Sequence, residues 1–144
     1  MFNYKEIPDI PGVNVEKGLA LYGGDNDIFL SALRSFAANT PAVLDKLRDA
    51  TAETLPGCVI TAHGLKGSSA SISAEGMRAA AAEMESMARN GDFAGFSTLR
   101  ALFLKSAEQL VEDINVWFEA FDAEHEKPRR HAPSRETLAK LNRC

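Results

Sequence analysis

Apolar residues along this chain recur at three- and four-residue steps, and no segment shows sustained two-residue alternation or a hairpin turn signal. The pattern therefore predicts helices and no sheet. Residues to about Gly12, which include Pro8 and Pro11, read as an extended lead-in. Asn14 is placed to cap a short helix through about Tyr22, and Gly23-Gly24 ends it. Asp25 or Asn26 caps a second helix with Ile28, Phe29, Leu33 and Phe36 on one stripe, and Val43, Leu44, Leu47 and Ala50 continue the apolar face to about Thr54. Thr40-Pro41 falls inside that run; it is either a fresh N-cap and first helical residue or a proline kink in one long helix. Leu55-Pro56-Gly57 is a break, and a helix follows from about Gly57 to Ile72. Ser73 reads as the N-cap of an alanine-rich helix from Ala74 to Asn90, with Gly91 as its C-terminal cap. Asp92 opens a last helix to about Ala123, with apolar positions at Phe96, Leu99, Leu102, Phe103, Leu110, Ile114, Trp117 and Phe121. The fold class is all-α, most simply an antiparallel helical bundle.

The helix from Gly57 to Ile72 contains the chain's main departure from local propensity. Cys58, Ala62, Leu65, Ser69 and Ile72, at 4-3-4-3 spacing, form a buried seam. Gly64 and Gly67 sit within the same helix, where each glycine costs about 1 kcal/mol relative to alanine. Such breakage between well-formed helices marks a candidate functional site. At about 100° per residue, Leu65 and Ile72 lie roughly 160–180° from His63, whereas Lys66 and Gly67 flank it at about 60° and 40°. The imidazole is thus expected to face solvent, with a cation on one side and bare backbone on the other. A neutral imidazole nitrogen in that setting can attack phosphorus and hold the phosphoryl group as a phosphoramidate. The lysine can offset charge on the phosphoryl oxygens, and the glycine admits a partner's active site. An exposed helical histidine is usually only a surface residue; the adjoining Lys-Gly pair reverses that balance.

Composition narrows the chemistry. The chain has 144 residues, enough for one domain with a proper core, and its net charge of -4 gives no basic footprint for nucleic acid. No apolar run approaches the roughly 20 residues that span a bilayer, and the first six residues lack the regions of a signal peptide, so no membrane partner and a cytoplasmic location are expected. Cys58 and Cys144 show neither disulfide nor metal spacing, and His125 and His131 add no workable zinc site. Gly64-Leu65-Lys66-Gly67-Ser68 has the wrong order and spacing for a nucleotide phosphate loop, so the chain is expected to be a phosphoryl carrier with no kinase activity of its own. Ser68 and Ser69 lack a nucleophile elbow, and Met77, Met84 and Met87 read as core filler. A bundle domain is expected over residues 10–122. Residues 123–144 read as a charged, proline-broken tail in which Ser134–Asn142 could form a short helix with Leu138 and Leu141 on one side. The starting methionine and a length close to one domain favour a free-standing protein, and a monomer is expected.

The segment Ile60-Thr61-Ala62-His63-Gly64-Leu65-Lys66-Gly67-Ser68-Ser69-Ala70 resembles the signature of histidine-containing phosphotransfer (HPt) domains, the intermediate carriers of two-component phosphorelays. Val13 to Asp27, Phe36 to Leu47 and Glu83 to Asp92 also resemble this family's helices in the right order, so the likeness covers roughly Ile10 to Phe121. The resemblance implies a four-helix bundle with a short extra N-terminal helix, the active histidine exposed midway along one helix, and a single continuous helix across Thr40-Pro41. Carried over position by position, His63 is the phosphorylated residue, Lys66 neutralises the phosphoryl group and Gly67 leaves room for the partner. Glu85 matches a Glu or Gln position whose side chain accepts a hydrogen bond from the ring Nδ1–H, leaving Nε2 as the nucleophile. Ser73 stands where the family commonly has glycine. The implied partners are a response-regulator receiver domain, with its own aspartyl phosphate and Mg²⁺, and a hybrid sensor histidine kinase. No cofactor belongs to this chain itself. An apolar docking surface around His63 is expected, with Ile28, Ala70 and Met77 as candidate members. The alternative is a bundle of the same fold that binds a receiver or kinase without being phosphorylated.

Overall fold

In the computed structural model, which describes residues 8–126, side-chain caps set the starts of the first two helices. Asn14 accepts from the Lys17 amide (3.0 Å) and opens α1, Val15–Leu21. Asp25 accepts from the Ile28 amide (3.1 Å) and opens α2, Asn26–Arg48. Pro41 lies inside α2, which continues through it, so Thr40 is not a new cap. A 3-10 turn over Leu55–Gly57 leads into α3, Cys58–Ser71; α4 is Glu75–Arg89 and α5 is Phe93–Glu126. All elements among the described residues are helical. Residues 127–144, including the short helix expected at 134–142, lie outside the described residues, while α5 itself extends through Glu126.

Three helix ends share one geometry. At the end of α1, Gly23 bonds to Ala20 O and Gly24 to Leu19 O; at the end of α4, Gly91 bonds to Ala88 O and Asp92 to Met87 O. This is the Schellman pattern, in which the residue after the cap takes a left-handed conformation, here Gly23 (φ 64°) and Gly91 (φ 74°). The end of α3 repeats it, with Ser73 bonding to Ala70 O and Ala74 to Ser69 O, and Ser73 at φ 58°. Ser73 is therefore not the N-cap expected from the sequence. Ala74 holds that position, and the Ser73 hydroxyl is buried with no hydrogen-bond partner among the described residues.

The second helix also stops earlier than Thr54. The Arg100 guanidinium donates to Leu47 O (3.0 Å) and Ala50 O (2.8 Å), capping α2 from α5. Thr51 and Thr54 then bond to each other's backbone amides (2.8 and 3.3 Å), offering the chain a local alternative to further helix.

Contacts join α2 to α3, α3 to α4, α4 to α5 and α5 to α2, closing a ring of four helices, and α1 packs on α2. Gly18 makes that last contact possible, because a Cβ there would overlap the Phe29 ring. The interior has two apolar clusters. Leu44, Leu47, Leu65, Met84, Phe96 and Phe103 anchor one; Phe29, Leu33, Phe36, Ile72, Ile114 and Phe118 anchor the other; Met77 packs against both. The expected seam of α3 is fully borne out: Cys58, Ala62, Leu65, Ser69 and Ile72 are all buried. Of the expected stripe residues on the other helices, Val43, Leu99, Trp117 and Phe121 are half-buried and two are exposed. Ile28 is 48% exposed beside buried Phe29, and Leu102 is 65% exposed beside buried Phe103.

Candidate functional site

The inward seam of α3 turns the opposite face of that helix outward, and His63 stands on it. Its side chain is 67% exposed, against 10% for Glu85, which reaches it from α4. Glu85 Oε2 lies 3.1 Å from His63 Nδ1. A carboxylate only accepts, so the ring proton sits on Nδ1, and the neutral ring carries its lone pair on Nε2, away from Glu85.

Glu85 is a buried hub with three partners. Beside the His63 contact, Lys66 Nζ lies 2.8 Å from Oε1, and an Arg89 guanidinium nitrogen 2.8 Å from Oε2. Lys66 sits one helical turn from His63 on α3, and Arg89 one turn from Glu85 on α4, so short helical spacing assembles the whole cluster across the α3–α4 contact. The Glu85 carboxyl is held down from 4.5 to about 2, first by the hydrogen bond from Lys66 and then by that from His63, against burial, which pushes it up. The carboxylate is thus charged at any pH where the histidine ring is useful as a nucleophile.

The structure brings His63, Lys66 and Glu85 together and leaves Gly67 on the exposed face next to them, where a side chain would meet nothing within 4 Å. The same is true of Gly64. The serines that follow are absorbed by the helix: Ser69 Oγ donates to Leu65 O (2.6 Å) and Ser71 Oγ to Ser68 O (2.6 Å), so neither is poised beside the ring. Arg89 was not singled out in the sequence; its i,i+4 spacing from Glu85 was the signal that could have found it. Lys66, expected beside a phosphoryl group, is spoken for by Glu85 in this state of the site.

A groove of about 530 Å³ runs between α2 and α3 beside the histidine, with Ile60, Gly64 and Ser68 on one wall and Ala32, Ser35 and Asn39 on the other. Ile60, one turn before His63, is 79% exposed, the most exposed of the large apolar residues described. Sequence reasoning passed it over because it lies off the buried seam. Of the expected surface residues, Ile28 is exposed, whereas Ala70 and Met77 are half-buried; none of the three lines this groove.

Cys58 is buried as a free thiol, and burial pushes its pKa up, so it is a packing residue rather than a nucleophile. No cluster of three or more potential metal ligands occurs among the described residues, and His131 lies outside them. No helix among the described residues is long and apolar enough to cross a membrane.

Residues 31–112 match the family model of the Hpt domain. Comparison with curated proteins and with solved structures gives no match.

Proposed function

This chain belongs to the Hpt domain family, and on that premise we propose that it is the histidine phosphocarrier of a two-component phosphorelay, with His63 as the residue phosphorylated. The observation that carries the assignment to His63 is the hydrogen bond from its Nδ1 to buried Glu85, which leaves Nε2 as the solvent-facing lone pair. The short connections between successive long helices support an antiparallel four-helix bundle as the scaffold.

In the proposed step a receiver domain carrying an aspartyl phosphate docks over α3. His63 Nε2 attacks phosphorus in line; the N–P bond forms as the P–O bond to the aspartate breaks, and the aspartate leaves as a carboxylate. Mg²⁺ on the receiver would serve the phosphoryl oxygens from the partner's side. The ring keeps its Nδ1 proton and becomes positively charged. Glu85, already bonded to that nitrogen, stabilises the charge without rearrangement. Lys66 stands one helical turn from His63 and holds Glu85 Oε1, so in the proposed step it leaves Oε1 for the incoming phosphoryl oxygens while Arg89 continues to hold Oε2. Transfer to a second receiver is the same step reversed. Positioning and charge carry such a reaction, so a bundle presenting one imidazole suffices.

The α2–α3 groove and the Ile60 edge supply the apolar surface for docking, and Gly64 and Gly67 keep the approach to the ring low. The test is phosphate transfer from a panel of phosphorylated receiver domains to wild type and His63→Gln in parallel. Acid-labile, alkali-stable label on wild type alone supports the carrier. Binding without label on either would favour an interaction module and overturn it.

A further inference from the structure

Along α5, Leu102, Ser106, Gln109, Asp113, Val116, Ala120 and Glu124 follow one another at three- and four-residue steps and so share one side of the helix. All are exposed except half-buried Asp113, and the stripe holds two of the five exposed large apolar residues described, Leu102 (65%) and Val116 (54%). The first half of this stripe borders a groove of about 670 Å³ between α4 and α5, walled by Met77, Ala80, Phe103 and Leu110. None of His63, Lys66 or Glu85 lines it.

Charge is divided along the chain in a way that suits this face. Residues 127–144 carry six Lys and Arg against one Glu, a net +5, which leaves a net -9 on residues 1–126. From Ser106 to Glu126, α5 carries seven carboxylates and no Lys or Arg. Two of the seven are engaged elsewhere, Glu108 by Arg48 and Asp122 by Arg34, whereas Glu112, Glu119 and Glu124 have no cationic partner among the described residues. The basic segment begins where this acidic helix stops.

The reach is sufficient. From Glu126 back to Gln109, α5 spans about 25 Å at 1.5 Å per residue. The eleven residues from Lys127 to Thr137 can extend to about 36 Å, which leaves slack for reversing direction before Leu138. Leu138 and Leu141, three apart, are the large apolar residues of that segment and would share one side of a helical turn.

The geometry points to an intramolecular contact: residues 127–144 fold back along α5, their Lys and Arg lying over its carboxylates, and Leu138 and Leu141 enter the groove between α4 and α5. The contact covers Leu102 and Val116, and it is independent of phosphotransfer at His63.

Cys144 allows a test in the full chain. Cys58 is buried, so a nitroxide reagent labels Cys144, and paramagnetic broadening of backbone amides reports where the segment lies. At low salt, amide signals along the stripe from Leu102 to Val116 should be lost. They should return at high salt, which screens the exposed charges, and in the double variant Leu138→Ser/Leu141→Ser. Retention of those signals at low salt overturns the proposal. So does broadening centred instead on the α2–α3 groove, or broadening that the leucine substitutions leave unchanged. Loss of the same signals in isotope-labelled protein that carries no nitroxide, mixed with spin-labelled protein, would make the occupant a second copy and overturns it as well. His63 phosphorylation in the double variant stays at the wild-type rate, which separates this proposal from the carrier function.

Discussion

His63 Nδ1 and Glu85 Oε2 are 3.1 Å apart, and the bond between them joins the most exposed side of α3 to a carboxylate buried on α4. It sets the tautomer of the ring and, on the proposed mechanism, stabilises the charge that the ring gains on phosphorylation. A hydrogen bond to a charged group contributes about 1.5–3 kcal/mol, so Glu85→Ala should slow phosphoryl transfer by about 10- to 100-fold. His63→Gln should abolish it. Transfer rates from one phosphorylated receiver domain, with ring nitrogen chemical shifts to read the tautomer, check both. A wild-type rate in Glu85→Ala would remove Glu85 from the reaction.

The lowered pKa of Glu85 also links the cluster to acid stability. A carboxyl at about 2 in the folded chain and 4.5 in the ordinary case takes up protons first in the unfolded state as pH falls. Its contribution is therefore complete above about pH 4.5 and is lost progressively as pH falls towards 2. Thermal melts of wild type and Glu85→Gln across that range should differ by a constant amount above pH 4.5 and converge below it. A gap that stays constant down to pH 2.5 would contradict the assignment.

Lys66 and Arg89 approach opposite oxygens of the same carboxylate, and this makes them partly redundant in holding it. Lys66→Ala should slow transfer by about tenfold without preventing it, because one charge-assisted contact to the phosphoryl group is lost. Arg89→Ala should have the smaller effect on rate. Together the two substitutions leave a buried carboxylate with His63 as its one described partner, so their combined cost in stability should exceed the sum of the single costs. A double-mutant cycle by urea denaturation measures that coupling, and strict additivity would refute the shared hub.

Gly67 separates stability from function. A Cβ there meets nothing, so Gly67→Ala should stabilise the helix by about 1 kcal/mol and raise the melting temperature by about 4 °C. Gly67→Gln should keep the helical circular dichroism yet weaken transfer, chiefly by raising the receiver concentration needed for half-maximal rate. Transfer kinetics unchanged by glutamine would end the steric role assigned to Gly67.

Much of this fold was legible in the sequence because burial and spacing carry the same information. The α3 seam, the caps at Asn14 and Asp25, and the outward His63 with Lys66 beside it all follow from 3.6-residue periodicity and local hydrogen bonding. The pairing of Lys66 with Glu85 was not legible, since it depends on how closely α3 and α4 approach. The early end of α2 was hidden for a similar reason: its last carbonyls are taken by Arg100, fifty residues away in sequence from Ala50. Exposed Ile60 and Leu102 escaped, and Ile28 was read both on a buried stripe and as a surface residue, because apolar periodicity tells which face is buried and not which apolar residues are left outside. Arg89 was simply one more basic residue near a helix C-terminus until Glu85 proved to be buried.

Ser73 offers the clearest test of a local energetic conflict. Its backbone does what Gly23 and Gly91 do at the two other Schellman ends, at φ 58° against 64° and 74°. An L-residue in that conformation costs roughly 1–2 kcal/mol, a penalty glycine escapes. The Ser73 hydroxyl is also buried without a partner among the described residues, which adds the desolvation penalty of an unmet polar group. The Ser73 carbonyl, by contrast, accepts from the Asn14 amide at 3.1 Å and is retained whatever the side chain. Ser73→Gly should therefore stabilise the chain, by about 1 kcal/mol once the greater freedom of glycine in the unfolded state is subtracted. Ser73→Ala removes the hydroxyl but keeps the left-handed strain, so it should fall between wild type and glycine. Urea denaturation of the three proteins gives the order directly. A glycine variant less stable than wild type would mean that the hydroxyl or the Cβ makes a favourable contact outweighing the strain, and a serine–alanine difference near zero would place the whole conflict in the backbone.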